Sequence, residues 1–460
     1  MFKSLKRHSY DSKQYLRIVL PITLIFSPTF AAAQQASSTT FNYELRMTGS
    51  RYTPNQANRP NQAVLEVPAT QTVYLDAHGQ YEIETSTIYP GGIEFNFQIK
   101  GNREGNATID KLLWRNGIEI ERGNATIAAQ TYADLLLLAP TQLWRQAKQV
   151  RSLSAPTETD SGFEFKAFED TAGRPVSVTI RRKDQTILAA RVANALYEYT
   201  PISDSHWSVK VTNNGALNAR WEIDQYEVTP REISLDFGSN YQEKKPRGDL
   251  RLEKIAEGVM RINGAPSNYH SHFIVGAKGI VAFDAPAATA ETAKARSLLE
   301  QEFGRKPFTH IVLSHTHRDH IAGITSYSSE NTTVLTGTEG RTALERQFGK
   351  TLTSPIVEVS QHQIIDLGDR KIQIFAMPSD HASEMLIAYD ETSGIVFQGD
   401  LFTLAEHGPV PVGFDVNQEL FDFISRHNLK VKAIVGVHGR ISTMDELVES
   451  LRKREKSSEK

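Results

Sequence analysis

The 460-residue chain contains no cysteine. That excludes disulfides, a thiolate nucleophile, cysteine-ligated zinc and a lipidated N-terminal cysteine, so any chemistry must use oxygen and nitrogen groups. Excess charge of either sign is also missing: 51 Lys+Arg stand against 54 Asp+Glu. No basic field is therefore available for gripping nucleic acid, and none is expected as a partner. Beyond the N-terminal segment no apolar run approaches the ~20 residues that a spanning helix requires. The length, about three times the ~150 residues of an ordinary domain, allows two or three separately cored domains.

The N-terminal segment has the layout of a targeting signal. Lys3, Lys6, Arg7, Lys13 and Arg17 precede the apolar run Ile18 to Phe30, which is followed by Ala31-Ala32-Ala33-Gln34. A basic region, a short apolar region and small residues at a cleavage site predict a signal peptide over 1–33 and a periplasmic or secreted protein.

From about Thr39 to Phe237 the pattern has period two. Gln71 to Leu75, Ile93 to Ile99, Pro175 to Ile180 and His206 to Val211 alternate, or favour β-branched and aromatic residues, between Gly-Asn and Asn-Gly turns. A β-rich domain is predicted over 34–240. Tyr132 to Val150 is the exception, reading as one or two helices interrupted by Pro140 and laid across the sheet. The pentapeptide Gly-Asn-Ala-Thr-Ile occurs at 105–109 and again at 123–127, and both copies read as turns. In size, expected export, strand spacing and the run Gly173 to Ile180, this half resembles the half-barrel of periplasmic lipoprotein-carrier proteins. That resemblance implies lipid or another apolar ligand as a candidate partner. His78 and His206 stand alone here and read as ordinary structural residues.

The charged, proline-containing stretch within 241–250 reads as a linker, after which the texture changes. Eleven of the fourteen histidines fall beyond residue 250. The densest group is Ser314-His315-Thr316-His317-Arg318-Asp319-His320, directly after the apolar run Ile311-Val312-Leu313. Three imidazoles and a carboxylate crowded at a strand end gain nothing from burial unless they share a ligand. Further apolar strands stop at similar residues: Ile372 to Met377 leads to His381, Ile395 to Phe397 to Asp400, and Ala433 to Val437 to His438. Strand ends gathered on one edge of a sandwich would bring these side chains to one point, with room for two metal ions.

With this ordered pattern, completed by Asp284 after Ile280-Val281-Ala282-Phe283, residues 250–445 resemble the metallo-β-lactamase fold superfamily. The resemblance implies an α+β protein: a metallo-β-lactamase αβ/βα sandwich over 251–451, preceded by the β-rich domain and followed by a charged tail over 452–460. It assigns His315, His317 and His381 to a first metal, Asp319, His320 and His438 to a second, Asp400 to both, and Asp284 to support from behind. Imidazole and carboxylate donors suit two zinc ions, with iron or manganese as alternatives. Such metals lower the pKa of bound water toward ~7, and Asp319 and Asp400 become the catalytic candidates. The expected activity is hydrolysis of an ester-like bond (lactone, thioester, amide or phosphodiester) in a small-molecule substrate.

Within the superfamily, classical β-lactamases carry Cys or Ser where this chain has Asp400, and flavodiiron proteins carry Glu where it has His317. The third motif departs from the common Pro-Gly-His-Thr, reading Pro378-Ser379-Asp380-His381-Ala382, with Asp380 either supporting the site or solvated. His270, His272 and His407 are candidate substrate contacts, whereas His310, His362 and His427 read as strand, strand-edge and helix-surface residues. The competing functional reading makes the N-terminal domain an apolar-ligand carrier with a structural metal site, or makes the site a mononuclear iron centre that oxidises sulfur.

Overall fold

The computed structural model describes residues 41–149, 157–159, 162–181, 183–184, 186–245, 248–265, 268–286 and 289–458. The expected signal peptide over 1–33 lies outside these residues.

Alternating patterns of the first half build one antiparallel meander. Strand β1 (Asn42–Pro54) pairs with β2 (Val64–Asp76) through thirteen opposed residue pairs, from Asn42 opposite Asp76 to Pro54 opposite Val64. On its other edge β1 pairs with Ala216–Glu227, so two hairpin runs merge into a sheet of fourteen strands among the described residues. Alternate side chains such as Leu45, Met47, Val73 and Leu75 point to one face and are fully buried there.

That face is covered by helices α1 (Ala125–Leu136) and α2 (Pro140–Gln149), whose Tyr132, Leu135, Leu136 and Leu143 pack against Val73, Trp207 and Trp221. The break between them is closed by the sheet. The Tyr199 hydroxyl donates to the Leu137 carbonyl at 2.8 Å, and Trp207 Nε1 donates to Leu138 at 3.1 Å, which satisfies helix-end acceptors. Side chains of the two helices thus fill this face of the sheet.

The repeated pentapeptide does not form turns. Its first copy lies in the strand Gly105–Asp110; its second ends the strand Glu119–Asn124 and starts α1, well before the expected Tyr132. The two copies pair antiparallel, with Gly105 opposite Asn124. Context separates them, because only Asn124 is followed by a run able to coil, and its side-chain oxygen accepts from Ile127 N at 3.0 Å as an N-cap. The expected linker also departs from its reading: Gln242–Glu243 pairs in parallel with Glu119 and Ile120, and Glu243 forms an ion pair with Arg122.

The second half is a two-sheet sandwich. One sheet orders Arg251–Ala256, Val259–Asn263, His272–Gly276, Gly279–Phe283, Phe308–Val312, Thr333–Gly337 and Ile356–Val359; the other orders His362–Asp366, Lys371–Ala376, Leu386–Asp390, Ile395–Phe397 and Ala433–Val435. Val281, Phe283, Val312 and Leu335 of the first meet Ile372, Ile374, Leu386 and Phe397 of the second in a dry interior. Helices cover the outer faces: Ala295, Leu299 and Leu344 pack on the first sheet, and Leu420, Phe423, Ile424 and Leu447 on the second. This is the αβ/βα layering that the resemblance implied.

The halves are packed together. Ile93 and Trp114 from the β-rich region belong to the same buried cluster as Phe402, Val416 and Leu420 of the sandwich. Trp114 lies edge-on to Phe95 at 4.9 Å and to Phe414 at 5.4 Å, and its indole nitrogen donates to the Glu94 carbonyl at 2.7 Å. Among the described residues, no helix is long and apolar enough to cross a membrane.

Candidate metal centre

Each of the seven candidate ligands lies in a connection that follows a sandwich strand. His315, His317, Asp319 and His320 follow Phe308–Val312, His381 lies between Lys371–Ala376 and Leu386–Asp390, Asp400 follows Ile395–Phe397, and His438 follows Ala433–Val435. The apolar strands hold the backbone in the dry interior, and the first polar residues after them emerge together on one edge. Two groups result: His315, His317, His381 and Asp400, and Asp319, His320, Asp400 and His438, the donor atoms in each lying within 4.8 Å of one another. Asp400 belongs to both. Its Oδ2 lies 3.4 Å from His381 Nε2 and 4.0 Å from His315 Nε2, and its Oδ1 lies 3.2 Å from His320 Nε2 and 3.3 Å from His438 Nε2.

Glycine permits this approach at Asp400. A Cβ on Gly399 would come within 2.7 Å of Ser314 Oγ and 2.9 Å of His315 Nδ1, so the strand end closes onto the histidine loop only because residue 399 has no side chain.

The far side of each ring fixes which nitrogen faces the centre. His320 Nδ1 lies 3.0 Å from Asp284 Oδ2, which directs Nε2 inward. His317 Nε2 lies 3.2 Å from the Ala57 carbonyl. A carbonyl only accepts, so Nε2 carries the proton and the Nδ1 lone pair points to the centre, 2.9 Å from His315 Nε2. Asp284 is fully buried in a left-handed backbone conformation with φ of 57°, and it also accepts from Ser314 N and Oγ at 2.7 Å each. A non-glycine residue held in this region beside a ligand cluster is strain concentrated at a working site.

Charge is unevenly distributed in the centre. Burial disfavours ionised His315, and the neighbouring imidazoles add to this, holding it neutral; burial likewise pushes His317 down to about 3. Burial also opposes charge on Asp319, Asp400 and His320, but the attraction between His320 and the two carboxylates wins, holding both carboxyls well below their usual range and His320 well above its own. Burial and Arg115 lower His438. The donors nevertheless leave gaps: the buried His320 Nε2, His438 Nε2 and Asp400 Oδ1 make no hydrogen bond of acceptable geometry. Buried polar atoms aimed at one point without partners are costly. An all-nitrogen-and-oxygen set with such orphaned atoms fits divalent metal ions such as zinc.

The rim residues fall elsewhere. His270 and His272 are 2% and 1% exposed, buried rather than facing a rim. His270 Nδ1 donates to the Ile262 carbonyl at 3.0 Å and its Nε2 lies 3.3 Å from Glu406, while His272 lies within a strand edge-on to Phe397. His407 is exposed, 3.7 Å from Glu119 of the β-rich half. Asp380 is exposed, with its main chain held by Asn58 and Glu419.

Several site residues had no signal in the sequence reading. Buried Glu384 accepts from Thr316 N at 3.0 Å and Thr316 Oγ1 at 2.6 Å, tying the histidine loop to the His381 loop. Tyr269 lies edge-on to His438 at 4.8 Å. From the other half, Gln56 Nε2 donates to Asp319 Oδ1 at 2.9 Å. Nothing in local spacing marks these residues, because each acts across a long sequence separation.

Residues 271–438 match the model of the metallo-beta-lactamase superfamily, and the sandwich carries the fold of that superfamily. Among solved structures, the chain is similar to the stereoselective inverting sec-alkylsulfatase Pisa1 from Pseudomonas sp., at 13% identity and a TM-score of 0.34 over 44% of this chain and 41% of that one. It is also similar to a metallo-beta-lactamase from Pontibacter korlensis, at 14% identity and a TM-score of 0.35 over 56% and 99% of the two chains. Rubredoxin oxygen:oxidoreductase from Desulfovibrio gigas is matched at 14% identity and a TM-score of 0.38 over 45% and 62%. The chain thus spans about two fifths of the alkylsulfatase's length. No curated protein matches the sequence significantly.

Proposed function

We propose that this protein is an exported metal-dependent hydrolase that binds two ions, zinc by the chemistry of its donors, and cleaves an ester-like bond in a small molecule. The observation that carries this reading is Asp400, whose two oxygens each face a different histidine pair, so that the two groups share one carboxylate. His315, His317 and His381 would hold one ion and Asp319, His320 and His438 the other. Bound metal would supply Lewis acidity and a water acidified toward neutral pH. The protein's own residues do the rest. Asp319 has one oxygen occupied by Gln56 and the other 3.4 Å from His438 Nε2, which fixes the carboxylate plane and leaves lone pairs to orient an attacking water and take its proton. Asp284 and the Ala57 carbonyl hold ligand rings from behind, which limits the reorganisation needed during reaction.

The test is metal analysis of the purified mature chain, combined with a panel of lactone, thioester, amide and phosphodiester substrates. Two equivalents of metal and chelator-sensitive cleavage of one class are expected. A single tightly held iron, or no cleavage of any class by the two-metal protein, would overturn the reading.

A further inference from the structure

We infer that the tip of the β1–β2 hairpin, Gln56-Ala57-Asn58, is a working part of the metal centre: it positions the ligands of both ions from a separate region of the chain. The inference rests on the two-metal reading above and extends it to residues outside the sandwich.

Thirteen-residue strands at ~3.3 Å per residue make a hairpin roughly 40 Å long, far longer than an ordinary sheet strand. Its tip is closed by Asn55 N donating to the Ala63 carbonyl at 2.8 Å and reaches the sandwich edge. There, three consecutive residues address two ligand segments, the histidine loop at 315–320 and the loop that carries His381. Gln56 Nε2 donates to Asp319 Oδ1 at 2.9 Å. The Ala57 carbonyl accepts a hydrogen bond from His317 Nε2 and so sets the tautomer that frees Nδ1. Asn58 Nδ2 donates to the carbonyls of Ser379 at 3.2 Å and Asp380 at 2.5 Å, and the Asn58 carbonyl accepts from Ser383 N at 2.8 Å, bracketing His381 on both sides. The tip is anchored further by Arg346 Nη1 donating to the Pro60 carbonyl at 2.6 Å, and by Arg318 N donating to the Asn55 carbonyl at 3.3 Å.

A second strand connection of the β-rich half closes on the same place. A Cβ on Gly91, whose φ is +81°, would lie 2.2 Å from Val416 Cγ1 and 3.3 Å from His381 N. General stickiness between two surfaces would not sort its contacts by ligand. Here Gln56 meets the group of the second ion and Asn58 meets the loop of the first.

That sorting gives the test a pattern that simple destabilisation does not produce. The metal-free full-length chain is titrated with zinc against a chromophoric chelator, and the two binding steps are assigned by which is lost in His381→Ala and which in His438→Ala. Gln56→Ala is expected to weaken the step lost in His438→Ala by ~10-fold or more, the lower end of what contacts behind metal ligands contribute, and to spare the other. Gln56→Glu should be worse than Gln56→Ala, since it sets a carboxylate against Asp319. Asn58→Ala should weaken the step lost in His381→Ala. Exposed Asn61→Ala, at the same tip, should leave both steps unchanged. If the wild-type chain takes up two ions and Gln56→Ala, Gln56→Glu and Asn58→Ala titrate like it, or if every variant weakens both steps equally, the positioning role is refuted while the two-metal reading stands. A wild-type chain that takes up fewer than two ions overturns that reading itself, and this inference with it.

Discussion

Replacing Asp400 by alanine removes the one carboxylate common to both groups. In the present geometry its oxygens lie between 3.2 and 4.0 Å from four imidazole nitrogens. Losing a contact behind a metal ligand costs ~10–100-fold in metal affinity, or ~1.4–2.8 kcal/mol, and a direct ligand should cost at least that. The two ions should not suffer equally. Without Asp400 the first group keeps three imidazoles, a complete zinc triad; the second keeps His320, His438 and Asp319, of which Asp319 is already engaged by Gln56. After dialysis, elemental analysis of folded Asp400→Ala protein should therefore show close to one ion per chain, against two in the wild type, with hydrolysis largely lost. The competing account treats Asp400 as a residue that merely caps the turn after its strand, in which case substitution costs ~1 kcal/mol of stability and nothing in metal. Two ions with unchanged hydrolysis would refute the shared-carboxylate argument.

Three further predictions concern other links in the chain of reasoning. Glu384→Ala strands the buried Thr316 N–H and hydroxyl, so a loss of ~2 kcal/mol is expected as a shift of the urea midpoint, and an unchanged midpoint would show that the clamp contributes nothing. Trp114→Ala empties a site shared by both halves and should cost ~3–5 kcal/mol, with fluorescence and circular dichroism reporting one coincident transition; separate transitions, with the sandwich's unshifted, would mean that the halves unfold independently. Intact-mass measurement of the protein from its producing cell should find a chain beginning at Gln34, and a soluble chain beginning at Met1 would remove the argument for export.

The side chains that the structure gathers into two groups were legible because they stand at strand ends. A buried strand needs a short apolar run, and a ligand must stand where that run stops; Ile395–Phe397 before Asp400 and Ala433–Val435 before His438 show both in a handful of residues. His270 and His272 misled for the same reason. Their neighbourhood also marks a strand entry, but these rings are taken up by burial, His270 through the Ile262 carbonyl and His272 through packing on Phe397. Histidine enrichment thus pointed to the right region without separating ligands from core. The difference lay in what stood opposite each ring, which residue spacing does not encode.

The repeated pentapeptide and the hairpin tip show where local reading ends. Identical Gly-Asn-Ala-Thr-Ile segments become a strand at 105 and a helix start at 124, because the residues that follow decide whether the backbone turns back into a ladder or coils. At the tip, Gln56, Ala57 and Asn58 look like ordinary turn residues, and their partners lie more than 250 positions away. What brings them together is arithmetic of length: thirteen paired residues carry the turn to the sandwich edge, where a shorter hairpin would leave His317 Nε2 without the carbonyl that sets its tautomer. The long β1–β2 hairpin therefore belongs to the chemistry of the centre as much as to the sheet, and a role for the β-rich half follows from the structure without any ligand of its own.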